Sequence, residues 1–251
     1  AADAAVAALG TAIAKAVRID QADAVAAWEA HKAHLHARMT WLNERQFRWL
    51  RIQTGLGTDV RIGLPAAHLW LGGAEKTKGG VPFVANMPTE EIFTLPERTA
   101  VDGKVVASRP LVYNGNLIEG FSLEFEAGRC VRSQAKEGEA MLRQLLATDP
   151  GAAYLGEVAL VPYSSPISLM GLLFYNTLFD ENASAHLAFG KAYPVCLAGS
   201  EGLDKNALLA AGANDSLVHE DFMIGTADMR VTGETKTGEL VTIMENGEFV
   251  L

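Results

Sequence analysis

Neither proline nor glycine occurs between Gly10 and Gly55, whereas both recur throughout the rest of the chain. An uninterrupted stretch of this length favours helix, because proline and glycine are the two residues that most disfavour a helix interior. Large apolar residues recur every seven positions within it, at Trp28, Leu35, Leu42 and Trp49. Seven residues are nearly two helical turns, so these side chains share one face. Residues 1 to about 52 are therefore predicted to be helical, with one face packed against the rest.

The chain after Gly55 consists largely of short apolar or alternating runs bounded by glycine, proline and asparagine. These runs lie at 59–64, 105–108, 120–125, 158–161, 221–224, 228–231, 240–244 and 249–251. Runs of this kind are typical of strands, and Asn114-Gly115, Ala127-Gly128 and Asn246-Gly247 predict turns between them. Residues 136–147 have helical spacing. We predict an α+β fold with a largely antiparallel sheet, flanking helices and an N-terminal helical arm, divided into residues 1–55 and 56–251.

Composition restricts the class of protein. The 251 residues are 49% apolar and 20% charged, as in ordinary globular proteins. The formal charge of −9 disfavours nucleic acid as a partner, and no run approaches the ~18 apolar residues that span a membrane. Two cysteines, Cys130 and Cys196, are too few for a disulfide framework, and the alanine-rich start lacks the basic residues of a signal peptide. We expect a cytoplasmic protein.

Several common signatures are missing from the sequence. Gly55-x-Gly57 lacks the third glycine of a dinucleotide fingerprint, and Gly72 to Gly80 lacks the ending of a phosphate loop. No G-x-S-x-G or H-E-x-x-H string occurs. Nucleotide-binding, serine hydrolase and thermolysin-like functions are therefore not indicated.

His219-Glu220-Asp221 lies in a strand-like run, where period-two geometry puts His219 and Asp221 on the same face. Imidazole and carboxylate ligands suit Zn, Co or Mn better than Ca. Taken alone, such a pair is more often an exposed polar strand face. The group His31, His34 and His36 is likewise explained as well by a solvated helix face as by metal binding.

Further acids and a phenol extend this set. Glu157 enters a buried strand, where a carboxylate needs hydrogen bonds or a cation to offset desolvation. Glu181 and His186 are close in sequence, and Tyr193 follows His186 by seven residues, so the last two would face one cavity if the segment were helical. Pro88-Thr89-Glu90-Glu91 adds two acids, although Thr89 would equally serve as a helix N-cap.

Four strings of the chain have a family resemblance when taken together. They are Gly57-Thr-Asp-Val-Arg-Ile-Gly-Leu64, Asn86-Met-Pro-Thr-Glu-Glu-Ile-Phe-Thr94, Leu155-Gly-Glu-Val-Ala-Leu-Val-Pro162 and Leu173-Phe-Tyr-Asn-Thr-Leu-Phe-Asp-Glu-Asn-Ala-Ser184. In order and spacing they resemble the thermophilic metallo-aminopeptidase family that includes aminopeptidase T and aminopeptidase S, from about Ala24 onward. The resemblance implies a dinuclear aminopeptidase that hydrolyses the N-terminal peptide bond with metal-activated water, its catalytic domain being residues 56–251.

The resemblance also implies a set of site residues. The implied metal ligands are Glu91, Glu157, Glu181, His186, His219 and Asp221. Tyr193 is the implied catalytic phenol, and Glu90 or Glu91 is the candidate general base. The implied cofactors are two divalent ions, with Zn, Co, Mn and Mg left open. A peptide substrate and a homodimer follow from the same resemblance.

Family members are larger, so a fragment, a proteolytic product and a natural short form all remain open. The chain is expected to begin in the helical connection that leads into the metal-binding domain. The alternative function is a catalytically silent or truncated metal-binding domain that acts in assembly or interaction. The sequence is also compatible with an interaction module built on Trp28, Trp41 and Trp49, and with amidase or dipeptidase activity at the same metal pair.

Overall fold

The computed structural model describes residues 2–251. Within them it has six α-helices: α1 (Ala2–Ala16), α2 (Ala24–Arg45), α3 (Glu139–Leu146), α4 (Pro166–Met170), α5 (Thr177–Glu181) and α6 (Lys205–Ala210). A single 3₁₀ turn within the same residues spans Pro194–Cys196. None of the helices in this described range combines the length and apolar character needed to cross a membrane.

Sixteen strands are formed in the same described range. They are β1 (Trp49–Gln53), β2 (Asp59–Gly63), β3 (Glu75–Lys76), β4 (Pro82–Phe83), β5 (Ile92–Thr94), β6 (Val101–Val106), β7 (Leu111–Tyr113), β8 (Asn116–Ile118), β9 (Ser122–Glu126), β10 (Arg129–Gln134), β11 (Leu155–Leu160), β12 (His186–Gly190), β13 (His219–Met223), β14 (Arg230–Glu234), β15 (Leu240–Glu245) and β16 (Glu248–Phe249). One sheet has the order β10-β9-β6-β2-β1-β14-β15-β16 and a second has the order β13-β12-β11-β5. β3–β4 and β7–β8 are separate two-stranded sheets. Every pairing is antiparallel, which confirms the predicted α+β class.

The helical arm is shorter than the sequence predicts, and it is interrupted between Ala16 and Ala24. α2 is capped by Asp23, whose carboxylate accepts the N–H of Ala26, and it ends at Arg45. The prediction of helix to residue 52 is wrong, because the next segment is β1, which pairs with β2 and β14. Leu50 and Ile52 are fully buried on either side of exposed Arg51. This alternation suits a strand, so sheet pairing overrides the seven-residue pattern at this end.

The predicted turns are found where the sequence places them. Asn114-Gly115 joins β7 to β8, Ala127-Gly128 joins β9 to β10 and Asn246-Gly247 joins β15 to β16. Both residues of each pair have positive φ. That is the geometry two-residue hairpin turns require, since it matches the right-handed twist of the strands.

The two large sheets share one hydrophobic core. Leu50 of the eight-stranded sheet and Leu187 and Phe222 of the four-stranded sheet belong to the same buried cluster, with Leu142 of α3. Every residue of β11 and β12 is buried. Any titratable side chain on these two strands is therefore held in a place that water does not freely reach.

Candidate metal centre

A cavity of about 590 Å³ opens against the four-stranded sheet. All seven side chains singled out as metal ligands or as the catalytic phenol line it: Glu91, Glu157, Glu181, His186, Tyr193, His219 and Asp221. Five of them lie on β11, β12 and β13 or directly before β5, and Glu181 ends α5. Antiparallel pairing thus brings together residues that are far apart in sequence.

Glu157 lies between the two imidazoles of the cavity. His186 Nε2 is 3.1 Å from Glu91 Oε2 and 3.6 Å from Glu157 Oε1. His219 Nε2 is 3.8 Å from Glu157 Oε2 and 3.6 Å from Asp221 Oδ1. One potential ligand atom from each of Glu91, Glu157 and His186 lies within 4.8 Å of the other two. Donor atoms at this spacing are close enough to share a cation.

Both histidine rings are oriented by backbone carbonyls. His186 Nδ1 donates to the carbonyl of Ser184 at 3.0 Å, and His219 Nδ1 donates to the carbonyl of Lys191 at 2.7 Å. Each ring therefore turns its Nε2 towards the carboxylates. A histidine that binds a metal usually donates its other ring N–H in this way, which fixes the tautomer and the ring plane.

The buried acids crowd one another. Burial, together with the neighbouring Glu91 and Asp221 carboxylates, raises the pKa of Glu157 to about 7. Burial and the same negative neighbours raise the pKa of Glu181 to about 8. Burial alone would lower the pKa of His186, but hydrogen bonds to Glu157 and Glu91 raise it well above its usual value. The site therefore attracts positive charge, whether from protons or from cations.

Asp221 gives an independent indication that a cation belongs in this cavity. Its Oδ1 is buried and has no hydrogen-bond partner among the residues that the structure describes. An unsatisfied buried carboxylate oxygen is costly and rare in a folded protein. Four carboxylates and two Nε2 atoms form a donor set suited to divalent transition ions. The residues present thus fit divalent metal ions.

Tyr193 forms one wall of the cavity and is 43% exposed. Its ring lies 4.5 Å from the His219 ring and 6.2 Å from the Phe93 ring. Burial and the surrounding carboxylates raise its pKa to about 12, so the phenol is protonated at neutral pH and can donate a hydrogen bond. The segment from His186 to Tyr193 is not the helix that would have placed both side chains on one face. His186 instead starts a strand, and Tyr193 precedes a 3₁₀ turn.

Glu90 does not share the cavity with Glu91. Its carboxylate is paired with Arg18 and does not line the cavity, so the structure does not support Glu90 as a general base. The alternative of a helix capped by Thr89 is also wrong, since these residues lead into strand β5. His31 is buried against the carbonyl of Thr89, while His34 and His36 are exposed.

Alternation within strands accounts for several placements. His219 and Asp221 both face the cavity, as period-two geometry predicts, and Glu220 lies outside its lining. Phe93 follows Glu91 by two positions and also lines the cavity. Period-two alternation at β5 would therefore have predicted it as a cavity residue. The apolar wall of Met39 and Leu71 had no local sequence signal, because these residues come from separate segments.

The chain matches a family profile and several aminopeptidase sequences. The profile of the family described as "Thermophilic metalloprotease (M29)" matches residues 1–249. The chain is 48% identical over 235 residues to "Aminopeptidase AmpS" of Bacillus subtilis (strain 168), covering 94% of this chain and 57% of that protein. It is 49% identical over 243 residues to "Aminopeptidase T" of Thermus aquaticus, covering 97% of this chain and 59% of that protein.

A solved structure, "Wild-type AmpT from Thermus thermophilus", has the same fold. It superposes with a TM-score of 0.86 at 48% identity, over 90% of this chain and 56% of that one. The chain therefore spans less than three fifths of the length of the relatives it matches.

Proposed function

Because the chain belongs to the thermophilic metalloprotease family M29, we propose that it forms the metal-binding catalytic part of a dinuclear aminopeptidase. The observation that carries this proposal is that Glu157 shares one cavity with three further carboxylates and two imidazoles, beside a protonated phenol. The relatives are all named as aminopeptidases, which supports the same activity.

The proposed ligands are the six acids and histidines of the cavity. Glu157 lies 3.6 and 3.8 Å from the two imidazoles, so it would be the central member of this set. Zn, Co, Mn and Mg are the candidate ions. Divalent ions at such a site supply the acidity that makes water nucleophilic at neutral pH and the Lewis acidity that polarises a carbonyl.

The chain's own groups account for the remaining steps. The Tyr193 hydroxyl donates a hydrogen bond to the oxyanion that develops when the substrate carbonyl is attacked. Glu91 is the proposed proton acceptor for the attacking water and returns this proton to the leaving nitrogen. Glu91 is preferred to Glu90 because it lies in the cavity, whereas the Glu90 carboxylate is held by Arg18.

The cavity also suits the end of a peptide. Its volume of about 590 Å³ falls in the usual range for small-ligand sites, roughly 300–1,000 Å³. Met39, Leu71 and Phe93 provide an apolar wall for the first side chain. The carboxylates provide partners for an N-terminal amine, which is the group that distinguishes an exopeptidase substrate.

The homodimer, the cytoplasmic location and the division at residue 55 stay predictions from the sequence. For the division, β1 lies within the eight-stranded sheet, so the strand preceding residue 55 belongs to the body of the fold.

A metal-binding domain without turnover is the second candidate. The chain spans 57% and 59% of the length of two aminopeptidase relatives, so turnover by this chain is itself part of the proposal.

An assay of the metal-loaded chain separates these candidates. The chain is depleted with a chelator, reloaded with Co²⁺ or Zn²⁺ and tested on leucine p-nitroanilide and on its N-acetylated analogue. An aminopeptidase hydrolyses the first compound and leaves the second intact. Hydrolysis of neither compound by a chain that binds metal would favour the silent domain, and equal hydrolysis of both would indicate another amidase.

A further inference from the structure

The turn between α1 and α2 reaches the segment that carries Glu91. Arg18 lies in this turn, and its guanidinium contacts both oxygens of Glu90, with Nη2 at 2.9 Å from Oε2. The side chains of Arg18 and Glu90 are only 15% and 3% exposed. A two-point contact with a planar guanidinium fixes the orientation of a carboxylate as well as its charge.

α2 holds the same segment from a second side. His31 Nε2 donates to the carbonyl of Thr89 at 2.7 Å and lies 3.8 Å from Glu90 Oε2. The Trp28 ring packs edge-on against His31, and its Nε1 donates to the carbonyl of Val17 at 2.8 Å. Helix α2 therefore hydrogen-bonds both to the backbone of Val17, next to Arg18, and to the backbone of Thr89.

The backbone of Glu90 continues this connection to a second ligand-bearing segment. Its N–H donates to Asn182 Oδ1 at 2.6 Å, and Asn182 directly follows Glu181. Asn182 Nδ2 donates in turn to the carbonyl of Leu178 within α5. An unbroken series of hydrogen bonds thus runs from the helical arm to the segments of two proposed metal ligands.

We propose that Arg18 and Glu90 are positioning residues of the metal centre, which fix the Glu91 and Glu181 carboxylates through the backbone of residue 90 and through Asn182. This inference rests on the proposed metal site. Glu90 and Glu91 are adjacent and face opposite ways, one towards the arm and the other into the cavity. Holding Glu90 therefore restricts the direction in which Glu91 projects.

A purely structural role explains the pair less well. A buried ion pair is weak evidence for stability, since apolar residues of similar volume often serve as well or better. By contrast, removing a group that hydrogen-bonds to a metal ligand and orients it typically lowers metal affinity or activity about 10–100-fold. Glu90 directly precedes the proposed ligand Glu91, which is where such an orienting contact would act.

The test is a Co²⁺ titration of the full chain, followed by visible absorption, for the wild type and the Arg18→Met and Arg18→Lys variants. The matched control is Arg51→Met, because Arg51 makes a two-point contact with Asp59 that is exposed and lies on β1 and β2. Arg18→Met is expected to weaken Co²⁺ binding about 10–100-fold. Arg18→Lys, which keeps the charge but not the planar fork, should fall between this variant and the wild type. Arg51→Met should bind like the wild type.

Thermal unfolding of the metal-depleted proteins separates positioning from stability. A folded Arg18→Met variant with wild-type Co²⁺ affinity would overturn the proposal, even if its melting temperature fell. If Arg18→Met does not fold, Arg18→Lys decides: a Kd within twofold of the wild type overturns the proposal, and a larger increase supports it. A wild-type chain that binds Co²⁺ but hydrolyses no aminoacyl substrate would refute the proposed activity alone, because the positioning role is measured by affinity.

Discussion

His186 Nε2 lies 3.1 Å from Glu91 Oε2, so the first residue of β12 meets the residue before β5 across the intervening strand β11. Glu157 of that middle strand approaches the rings of both His186 and His219. The proposed centre is thus built on the register of adjacent antiparallel strands. A slip of one residue in any of them would turn a ligand away from the cavity.

Tyr193→Phe is expected to keep the metal and lose most of the turnover. The phenol contacts the His219 ring, but its hydroxyl is proposed to act only on the developing oxyanion. Loss of one such hydrogen-bond donor typically lowers kcat about 10²–10³-fold. The check is kcat on an aminoacyl p-nitroanilide together with metal content. Parallel loss of metal and activity would instead make Tyr193 a structural residue.

His219→Ala is expected to lower metal affinity by more than the roughly 10–100-fold typical of outer contacts, because a proposed ligand is removed. His36→Ala is the matched control, since His36 is an exposed histidine on α2. Metal content after dialysis against a buffer of fixed free Zn²⁺ measures the effect. Unchanged metal content in His219→Ala would exclude it as a ligand.

Asp149→Ala is expected to destabilise the fold by roughly 1.5–3 kcal/mol, as for hydrogen bonds to a charged group. The Asp149 carboxylate accepts the N–H groups of Gly151 and Leu217 and the hydroxyl of Ser216. It thereby connects the segment that precedes β11 to the segment that precedes β13. Urea unfolding measures the loss. Asp215→Ala is the control with little expected effect, because this half-buried carboxylate of the same loop pairs with the exposed Lys205.

The contribution of Asp149 should depend on pH. Burial tends to raise the pKa of this carboxylate, but hydrogen bonds from the Leu217 N–H and the Ser216 hydroxyl outweigh it and lower the pKa. A group with a lowered folded-state pKa stabilises the protein above its unfolded pKa of about 3.9, and this stabilisation is lost as the pH falls through the folded value. The difference in unfolding free energy between wild type and Asp149→Ala should therefore be constant above about pH 5 and narrow below about pH 4. A difference that widens in acid would contradict this assignment.

The hairpin turns of this fold are local properties, which is why the sequence predicts them, whereas β5, β10 and β12 were not predicted and form by pairing with their neighbours. Asn114-Gly115 and Asn246-Gly247 adopt positive φ in the hairpins where their residue types favour it. The end of the helical arm is different, because nothing local distinguishes Trp49 from the helical repeat. Only pairing with β2 and β14 determines that this residue starts a strand.

In the candidate site, too, some features follow from local sequence and others from the pairing of distant strands. Alternation along a single strand is enough to place His219 and Asp221 on one face. The meeting of Glu91, Glu157 and His186 depends on the order of β5, β11 and β12, which no local pattern encodes; the family resemblance was needed to group them. The contact of Arg18 with Glu90 joins segments far apart in sequence and had no signal in either one.

Metal stoichiometry tests the central claim most directly. The purified full chain is stripped with a chelator, equilibrated with Zn²⁺ or Co²⁺, dialysed and subjected to elemental analysis. A pair of ions held by Glu157 and the five other proposed ligands predicts about two divalent ions per chain, restored on each cycle of removal and reloading. A chain that retains no divalent ion under these conditions, while remaining folded, would contradict the account.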